Sequence, residues 1–321
     1  VSAVGKSHEE YPFVSIGITC FDAEISIGRA IESALRQDWP NLEILIVDDA
    51  SSDDSVSVVR KSAESDSRIR LLCHEANKGY AGALNTIFDA AQGEFVAIFD
   101  DDDVSRPDRI SKQWRRITEY EKATGAEYVF CYSNRDVIKE MVGGIAGQVQ
   151  AIGRSSPEPN GTAVADFLLW HFEDPAFTWG QLGSCTLFVR TRTILDFKRF
   201  DENFRRSAEW DLAIRAALEG AHFIAVDEAL ITQHITATQD KSGRLPLDYA
   251  LRLREKHEPY LKYQGVYLAS RAIARARYHY AKERRWSSRA QLALACILSP
   301  ARVFPNELRK WRKRKAGAAI P

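Results

Sequence analysis

GEFVAIFDDDDVSRPDR, Gly93 to Arg109, sets an apolar run against four consecutive aspartates, with a proline four residues beyond the last. The run EFVAIF does not alternate between apolar and polar, so it reads as a strand buried on both faces. Pro107 stands where a helix, PDRISKQWRRITEYEKATG, can open. Four like charges at the end of a core strand repel one another. That conflict asks for a neutralising partner.

Working outward, the same alternation recurs. FVSIGITCF, LEILIVDD and RIRLLCHE are strand-like runs, and AEYVFCYS is a fifth. Between them lie helical patterns: SIGRAIESALRQDW with Ile27, Ala30, Ile31, Ala34 and Leu35 on one face, SVSVVRKSAES, and GYAGALNTIFDAAQG with its closing glycine. Strand and helix in alternation predict an α/β, Rossmann-like, mostly parallel sheet with helices on both faces. Ligands of such sheets bind beyond the carboxyl ends of the strands. The polar clusters Thr19 to Asp22, Asp48 to Asp54 and Asp100 to Asp103 all end predicted strands, which places them on one rim. From Asn134 to Trp179 the pattern loosens into glycine- and proline-rich loops or a hairpin. SCTLFVR then reads as a strand, EWDLAIRAALEG as a helix and AHFIAVDEALITQH as a strand pair or bent strand. After Leu247 the chain reads as two or three amphipathic helices.

The equal totals of 44 Lys/Arg and 44 Asp/Glu hide an asymmetry. Ala250 to Pro321 carries 18 Lys/Arg against 4 Glu, a balance of +14, so Val1 to Tyr249 carries −14. An acidic body with a basic appendage suggests a metal-binding or catalytic part and a tail that seeks an anionic surface. No apolar run reaches the 18 or so residues of a membrane span, and VSAVGKSHEEYPF has no signal-peptide core. The five cysteines have neither metal-ligand nor redox-motif spacing and read as reduced core residues of a cytoplasmic protein.

Mg²⁺ and Mn²⁺ take oxygen ligands, commonly one or two carboxylates together with substrate phosphates. The aspartate run at a strand end therefore suits a metal–diphosphate ligand; a solvated helix-capping turn would need only one or two of the four. In VDDASSDDS, Asp53 and Asp54 are explained by capping the next helix. Asp48 and Asp49 precede the turn and are left for a base N–H or a ribose hydroxyl.

ITCFD, VDDASSDDS, NKGYAGALN and GEFVAIFDDDDVSRPDR, in that order, resemble the nucleotide-sugar half of family 2 glycosyltransferases, which have the GT-A fold. GSCTLFVRTRTILDFKRFDENFRRSAEWDLAIRAALEG resembles the acceptor half, and together the likeness covers roughly residues 12 to 240. It implies a division into a GT-A domain over residues 1–247 (nucleotide-sugar half 12–133, acceptor half 134–247) and a basic helical extension over 248–321. By position it implies base contacts from Thr19 and Asp49, with Phe21 and Asp22 in the same nucleotide-sugar site. The DxD signature falls on Asp100 and Asp102; Asp102 is the metal-bound carboxylate, and Asp100 or Asp101 meets the ribose or a metal-bound water. Asp101 to Asp103 also spells DxD, so two registers remain. Lys78 either approaches the phosphates or is a surface lysine, and Asn85 is structural.

AEWDLAIRA takes the place of the family's Glu-Asp pair. Glu209 is thereby the base that deprotonates the acceptor hydroxyl, and Asp211 is a supporting or acceptor-binding carboxylate or the alternative base. His234 matches a position that supplies a metal or phosphate ligand in some relatives, or is structural. Trp179, Trp170 and Trp210 either stack on acceptor sugars or pack in the core. The implied activity is inverting transfer from a nucleoside-diphosphate sugar, UDP first and dTDP or GDP open, to a glycan or lipid-linked acceptor in bacterial surface polysaccharide synthesis. Mn²⁺ or Mg²⁺ is the implied cofactor. The processive synthases' QxxRW motif is absent from the sequence. The basic tail fits either an anionic membrane surface, with the enzyme peripheral on the inner face, or a homodimer contact. A sugar-nucleotide pyrophosphorylase and a non-catalytic nucleotide-sugar binding module are the alternatives. A dehydrogenase is disfavoured because ITCFDAE stands where G-x-G-x-x-G belongs. A nucleic-acid ligand is not expected, since the acidic rim repels phosphates.

Overall fold

The computed structural model describes residues 11–139, 144–234 and 243–315. Expectations that rest on the first ten residues, on the stretch 140–143 or on the end of the basic tail lie outside them. Strands β1 (Val14–Cys20) and β2 (Leu42–Asp48) are buried at every residue, and β4 (Phe95–Asp100) at all but its last. Such unbroken burial follows from helices on both faces. Ile16, Ile18, Ile44, Ile46 and Phe99 pack with Ile31 of α1 (Ile27–Leu35) and Ile117 of α4 (Arg109–Thr124). The alternate residues Leu45, Val47, Val96 and Ile98 face Leu84 and Ile87 of α3 (Gly79–Ala90). Gly17 permits that approach: a Cβ there would stand 2.4 Å from Ile87 Cγ2. β1 pairs in parallel with β2 and β4, and β2 with β3 (Ile69–Cys73); α2 (Ser55–Ser65) joins those two.

Beyond β4 the sheet departs from the expected run of parallel strands. AEYVFCYS forms the start of β6 (Val129–Lys139), but β8 (Phe188–Arg190) lies between it and β4, antiparallel to both. Phe188 is fully buried there and stacks on Phe95 with centroids 5.1 Å apart. Periodicity reports that a strand is buried; it does not report which strand buries it. SCTLFVR is only half a strand, since Ser184–Thr186 form a 3-10 turn. The expected hairpin is β6 with β7 (Gly144–Val149).

AHFIAVDEALITQH is a single bent strand, β9 (His222–His234), parallel to β6 with register shifts around Asn134. Past that irregularity, Ile231 and Thr232 pair with β5 (Val104–Ser105), the two residues that follow the aspartate run. That pairing brings the end of β9 to the acidic rim.

Helices α5 (Thr162–Trp170), α6 (Thr191–Asp196) and α7 (Ala208–Leu218) belong to the second half of the chain. Among its described residues the tail holds five helices rather than two or three: α8 (Leu245–Lys256), α9 (Glu258–Tyr263), α10 (Tyr267–Ala281), α11 (Arg285–Leu298) and α12 (Pro300–Lys315). Pro259 restarts the helix at α9, and Gly265, with φ of +68°, turns the chain into α10. Leu253, Leu261, Val266 and Ile273 of this region share a core with Trp170 and Leu212. The cysteines are free, but Cys73 is exposed and Cys296 half-buried, so only Cys20, Cys131 and Cys185 are the core residues expected.

Candidate active site

The parallel register sets the rim level: Thr19 pairs with Asp100, and Cys20 with Asp48. From there the four aspartates diverge. Tyr80 Oη donates to Asp100 Oδ1 at 3.1 Å, and the Phe21 amide to Asp101 Oδ2 at 3.1 Å. Arg29 Nη2 donates to the Asp102 carbonyl at 2.8 Å, and the His234 amide to Asp103 Oδ1 at 3.1 Å. Asp103 Oδ2 is buried with no hydrogen-bond partner. Burial, then the charges of neighbouring aspartates, pushes Asp100 up to about 6, Asp101 to about 7 and Asp103 to about 8. The repulsion anticipated from the sequence is present in the fold.

Buried beneath the rim is one counter-charge. Arg109 is fully buried, lies 4.3 Å over the Phe99 ring and donates to the Ile98 carbonyl at 2.8 Å. Arg135, held by Gln233 and Gln181, adds a second attraction to Asp100 and Asp103. These cations do not offset the carboxylates fully, since the pKa values remain raised. An oxygen-seeking divalent cation fits what is left over. One ligand atom each from Asp100, Asp103 and Cys185 lies within 4.8 Å of the others. Burial and Asp100 push the Cys185 thiol well above its ordinary value, and its soft sulfur matches an oxygen-seeking cation poorly. The usable donors are hard carboxylate oxygens, which suit Mg²⁺ or Mn²⁺ rather than a thiophilic metal. The β9–β5 pairing sets His234 beside Asp103.

The second cluster behaves differently. Asp49 Oδ1 accepts from His74 Nδ1 at 2.7 Å and from the Lys78 amide at 2.8 Å, and Oδ2 accepts from the Gly79 amide at 2.8 Å. The residue assigned to the base thus clamps the start of α3, the natural place for a carboxylate at a helix N-terminus. Its neighbour Asp48 has Oδ1 buried without a partner. Asp53 accepts from the Glu24 and Ser55 amides and holds the start of α2, whereas Asp54 makes no side-chain cap. Asp22, at φ of +48°, accepts from the Ser52 amide at 2.7 Å and ties the first two rim loops together. Phe21 is 49% exposed at the rim, and the Lys78 side chain is exposed.

Glu209 and Asp211 both lie in the first turn of α7, with opposite surroundings. Asp211 is fully buried, with Arg215 Nε at 2.9 Å, Lys256 Nζ at 2.8 Å and His257 Nε2 at 2.9 Å. Burial alone would raise it, but the bonds from His257 and Lys256 and the Arg215 charge bring it down to about 2. Asp211 ties α7 to α8 and α9, which corrects its assignment as an acceptor-binding carboxylate or alternative base. Glu209 instead lines a cavity of about 700 Å³ with Trp210, Tyr80 and His171. Burial raises its carboxyl despite the opposing Arg206 charge and the favourable helix N-terminus. A carboxylate raised toward neutrality and open to a cavity has the properties of a general base.

Of the tryptophans, only Trp210 lines that cavity. Trp179 is 4% exposed, donates to the Asp174 carbonyl at 2.8 Å and stacks on Phe167, so the acceptor role assigned to it is replaced by core packing. Trp170 is likewise core. Tyr80 is the residue that sequence reasoning missed. It bonds Asp100 and, at 2.9 Å, Ser184 Oγ, while lining the cavity of Glu209. Its only signal was a tyrosine in the first turn after NKG.

Comparison with known proteins agrees with this arrangement. Residues 15–157 match glycosyl transferase family 2. The succinoglycan biosynthesis protein ExoO of Rhizobium meliloti is 37% identical over 130 residues, 40% of this chain and 35% of that protein. The Escherichia coli UDP-Glc:alpha-D-GlcNAc-diphosphoundecaprenol beta-1,3-glucosyltransferase WfaP is 34% identical over 156 residues, 48% of this chain and 56% of that protein. The matched parts therefore span about a third to a half of these relatives. TarS of S. aureus, solved with UDP-GlcNAc, superposes with a TM-score of 0.60 at 16% identity, over 90% of this chain and 82% of that one. The shared fold is GT-A.

Proposed function

Residues 15–157 belong to glycosyl transferase family 2, and from that premise we propose that the chain transfers a sugar from a nucleoside-diphosphate donor, UDP first, to a hydroxyl of a lipid-linked glycan, with inversion. The observation that carries this is Tyr80, which touches Asp100 of the donor rim and lines the cavity of Glu209, so that donor and acceptor chemistry share one site. Thr19, Phe21 and Asp48 receive the nucleotide, Asp48 taking the contact that Asp49 spends on α3. Asp102 and Asp100, with Asp103 grouped beside Asp100, are the carboxylates that would hold a divalent cation, whose chemistry there is neutralisation of a leaving diphosphate. A sugar hydroxyl does not ionise near pH 7, so Glu209 takes its proton as it attacks the anomeric carbon from the side opposite the leaving group. Trp210 offers an indole face to the acceptor sugar.

Two features support a lipid-linked acceptor. WfaP, by its name, acts on a diphosphoundecaprenol-linked sugar. Helices α11 and α12 expose Trp286, Ile297 and Phe304 among arginines, the composition of a helix lying at a lipid surface. No helix among the described residues is long and apolar enough to cross a membrane. The test is thermal unfolding with UDP, dTDP or GDP, each with and without Mn²⁺. UDP with Mn²⁺ is expected to raise the melting temperature by several degrees. If none of the three nucleotides shifts it, the transferase reading fails.

A further inference from the structure

The cavity beside Glu209 is lined by one carboxylate and many cations. Glu209 is the carboxylate; Arg205, Arg206, Arg254, Arg277 and Lys282 are the cations. Arg254 is buried and donates to the Ser270 and Ala250 carbonyls, so no carboxylate neutralises it there. Burial and then Arg277 and Arg271 push it down to about 9. His171, in the same wall, is driven well below its ordinary value by burial, then by Arg277, Arg254 and Lys310. Arg205, Arg254, Arg277 and Lys282 outnumber the one carboxylate of this lining, even with Glu173 and Glu307 acting on Arg277 from outside it, which favours an anion.

A second cavity of about 600 Å³ adjoins the first, with His171, Arg277 and Ala281 common to both. Its own lining includes Ile273, Ala276, Tyr280 and Leu292 of α10 and α11, with Ser288 and the Lys310–Glu307 ion pair of α12. Because His171, Arg277 and Ala281 line both, the cavity that holds Glu209 and the cations is continuous with the one walled by α10 and α11. Helices α11 and α12 expose the large apolar side chains already described.

We propose that this cleft holds the diphosphate and first prenyl units of a prenyl-diphosphate-linked acceptor, with Arg277 and Lys282 gripping the diphosphate and the Ile273–Leu292 cavity seating the hydrocarbon. The inference rests on the lipid-linked acceptor reading and assigns it a place. The two adjoining cavities offer what such an amphiphile presents: a carboxylate for the sugar hydroxyl and cations for the diphosphate in one, apolar side chains for the prenyl chain in the other. Arginine and lysine grip phosphate oxygens by charge-assisted hydrogen bonds. The grip also sets how far the reacting hydroxyl reaches toward Glu209.

The experiment measures binding of farnesyl diphosphate, inorganic pyrophosphate and farnesol to the full chain. EDTA is present so that the acidic rim cannot bridge a diphosphate through a cation. Farnesyl diphosphate is expected to bind at least tenfold more tightly than pyrophosphate, and farnesol weakly. The variant Arg277→Gln/Lys282→Gln should lose tenfold or more in affinity for farnesyl diphosphate while its melting temperature and its stabilisation by UDP with Mn²⁺ stay as in the wild type. Unchanged farnesyl diphosphate binding in that variant, with the UDP response intact, overturns the subsite and leaves the transferase reading standing. Equal affinity for pyrophosphate and farnesyl diphosphate overturns the prenyl assignment and makes the cleft a site for soluble diphosphates.

Discussion

Two groups of aspartates in this protein meet opposite electrostatic fates. At the end of β4, burial and mutual repulsion hold Asp100, Asp101 and Asp103 at about 6, 7 and 8. In the first turn of α7, Asp211 is fully buried, yet hydrogen bonds from His257 and Lys256 and the Arg215 charge bring it down to about 2. The fold supplies Asp211 with everything a buried carboxylate needs, and Asp211 accordingly holds helices together. The rim is left under-neutralised, and a ligand must complete it. Buried acidic residues are therefore sorted by their partners, not by their burial. Glu209 lies between the two cases, raised by burial but open to a cavity.

The largest effect should fall on that intermediate case. Glu209→Gln keeps the shape and removes the base, so transfer should drop by about 10³-fold. Stabilisation by UDP with Mn²⁺ should persist. Transfer above a tenth of the wild-type rate would show that Glu209 is not the base.

Asp211→Asn comes next and should act on stability alone. Leaving Arg215, Lys256 and His257 around a neutral amide should cost roughly 3 kcal/mol near pH 7. The sign follows from the depressed value: the contribution of Asp211 is complete above its unfolded pKa near 4 and fades as pH falls toward about 2. Denaturant melts of wild type and variant should therefore converge in acid. A gap of the same size at pH 7 and at pH 2.5 would refute this account of the network.

The rim should respond in the opposite direction. Asp100→Asn removes a carboxylate whose charge burial and Asp102 oppose, so in EDTA the protein should be more stable by up to about 1 kcal/mol. The same variant should lose the Mn²⁺-dependent response to UDP. If it is destabilised in EDTA as Asp211→Asn is, the contrast between rim and network is wrong.

How much of this could be read from the residues alone differs between the two regions. The aspartate run announced itself, because four like charges after a core strand have few structural uses. The alternation that placed it on a rim with Thr19 and Asp48 is a pattern of burial, and burial is what periodicity encodes. Partners are not encoded that way. Nothing in EWDLAIRA shows that His257, 46 residues away, meets Asp211 and not Glu209. Nothing in VDDASS shows that Asp49 turns to the Gly79 amide and Asp48 does not. The insertion of β8 between β4 and β6 and the enclosure of Trp179 are failures of the same kind, since both depend on which apolar surfaces meet in space.

Tyr80 gives the smallest and most specific test of the contrast, because it joins the two sides. Its hydroxyl donates to Asp100 at 3.1 Å and accepts from Ser184 Oγ at 2.9 Å, and its ring lines the cavity of Glu209. Burial and then Asp100 hold the phenol well above its ordinary value, so it remains a donor throughout the neutral range. Tyr80→Phe keeps the ring and deletes one hydrogen bond to the rim, a change of about 1 kcal/mol. Transfer should fall about fivefold, and the Mn²⁺ concentration needed for half-maximal response to UDP should change with it. A purely structural tyrosine would instead lower the melting temperature and leave the Mn²⁺ dependence where it was. The readout that decides is therefore the metal titration, because only a hydroxyl that sets the Asp100 carboxylate in place can move it.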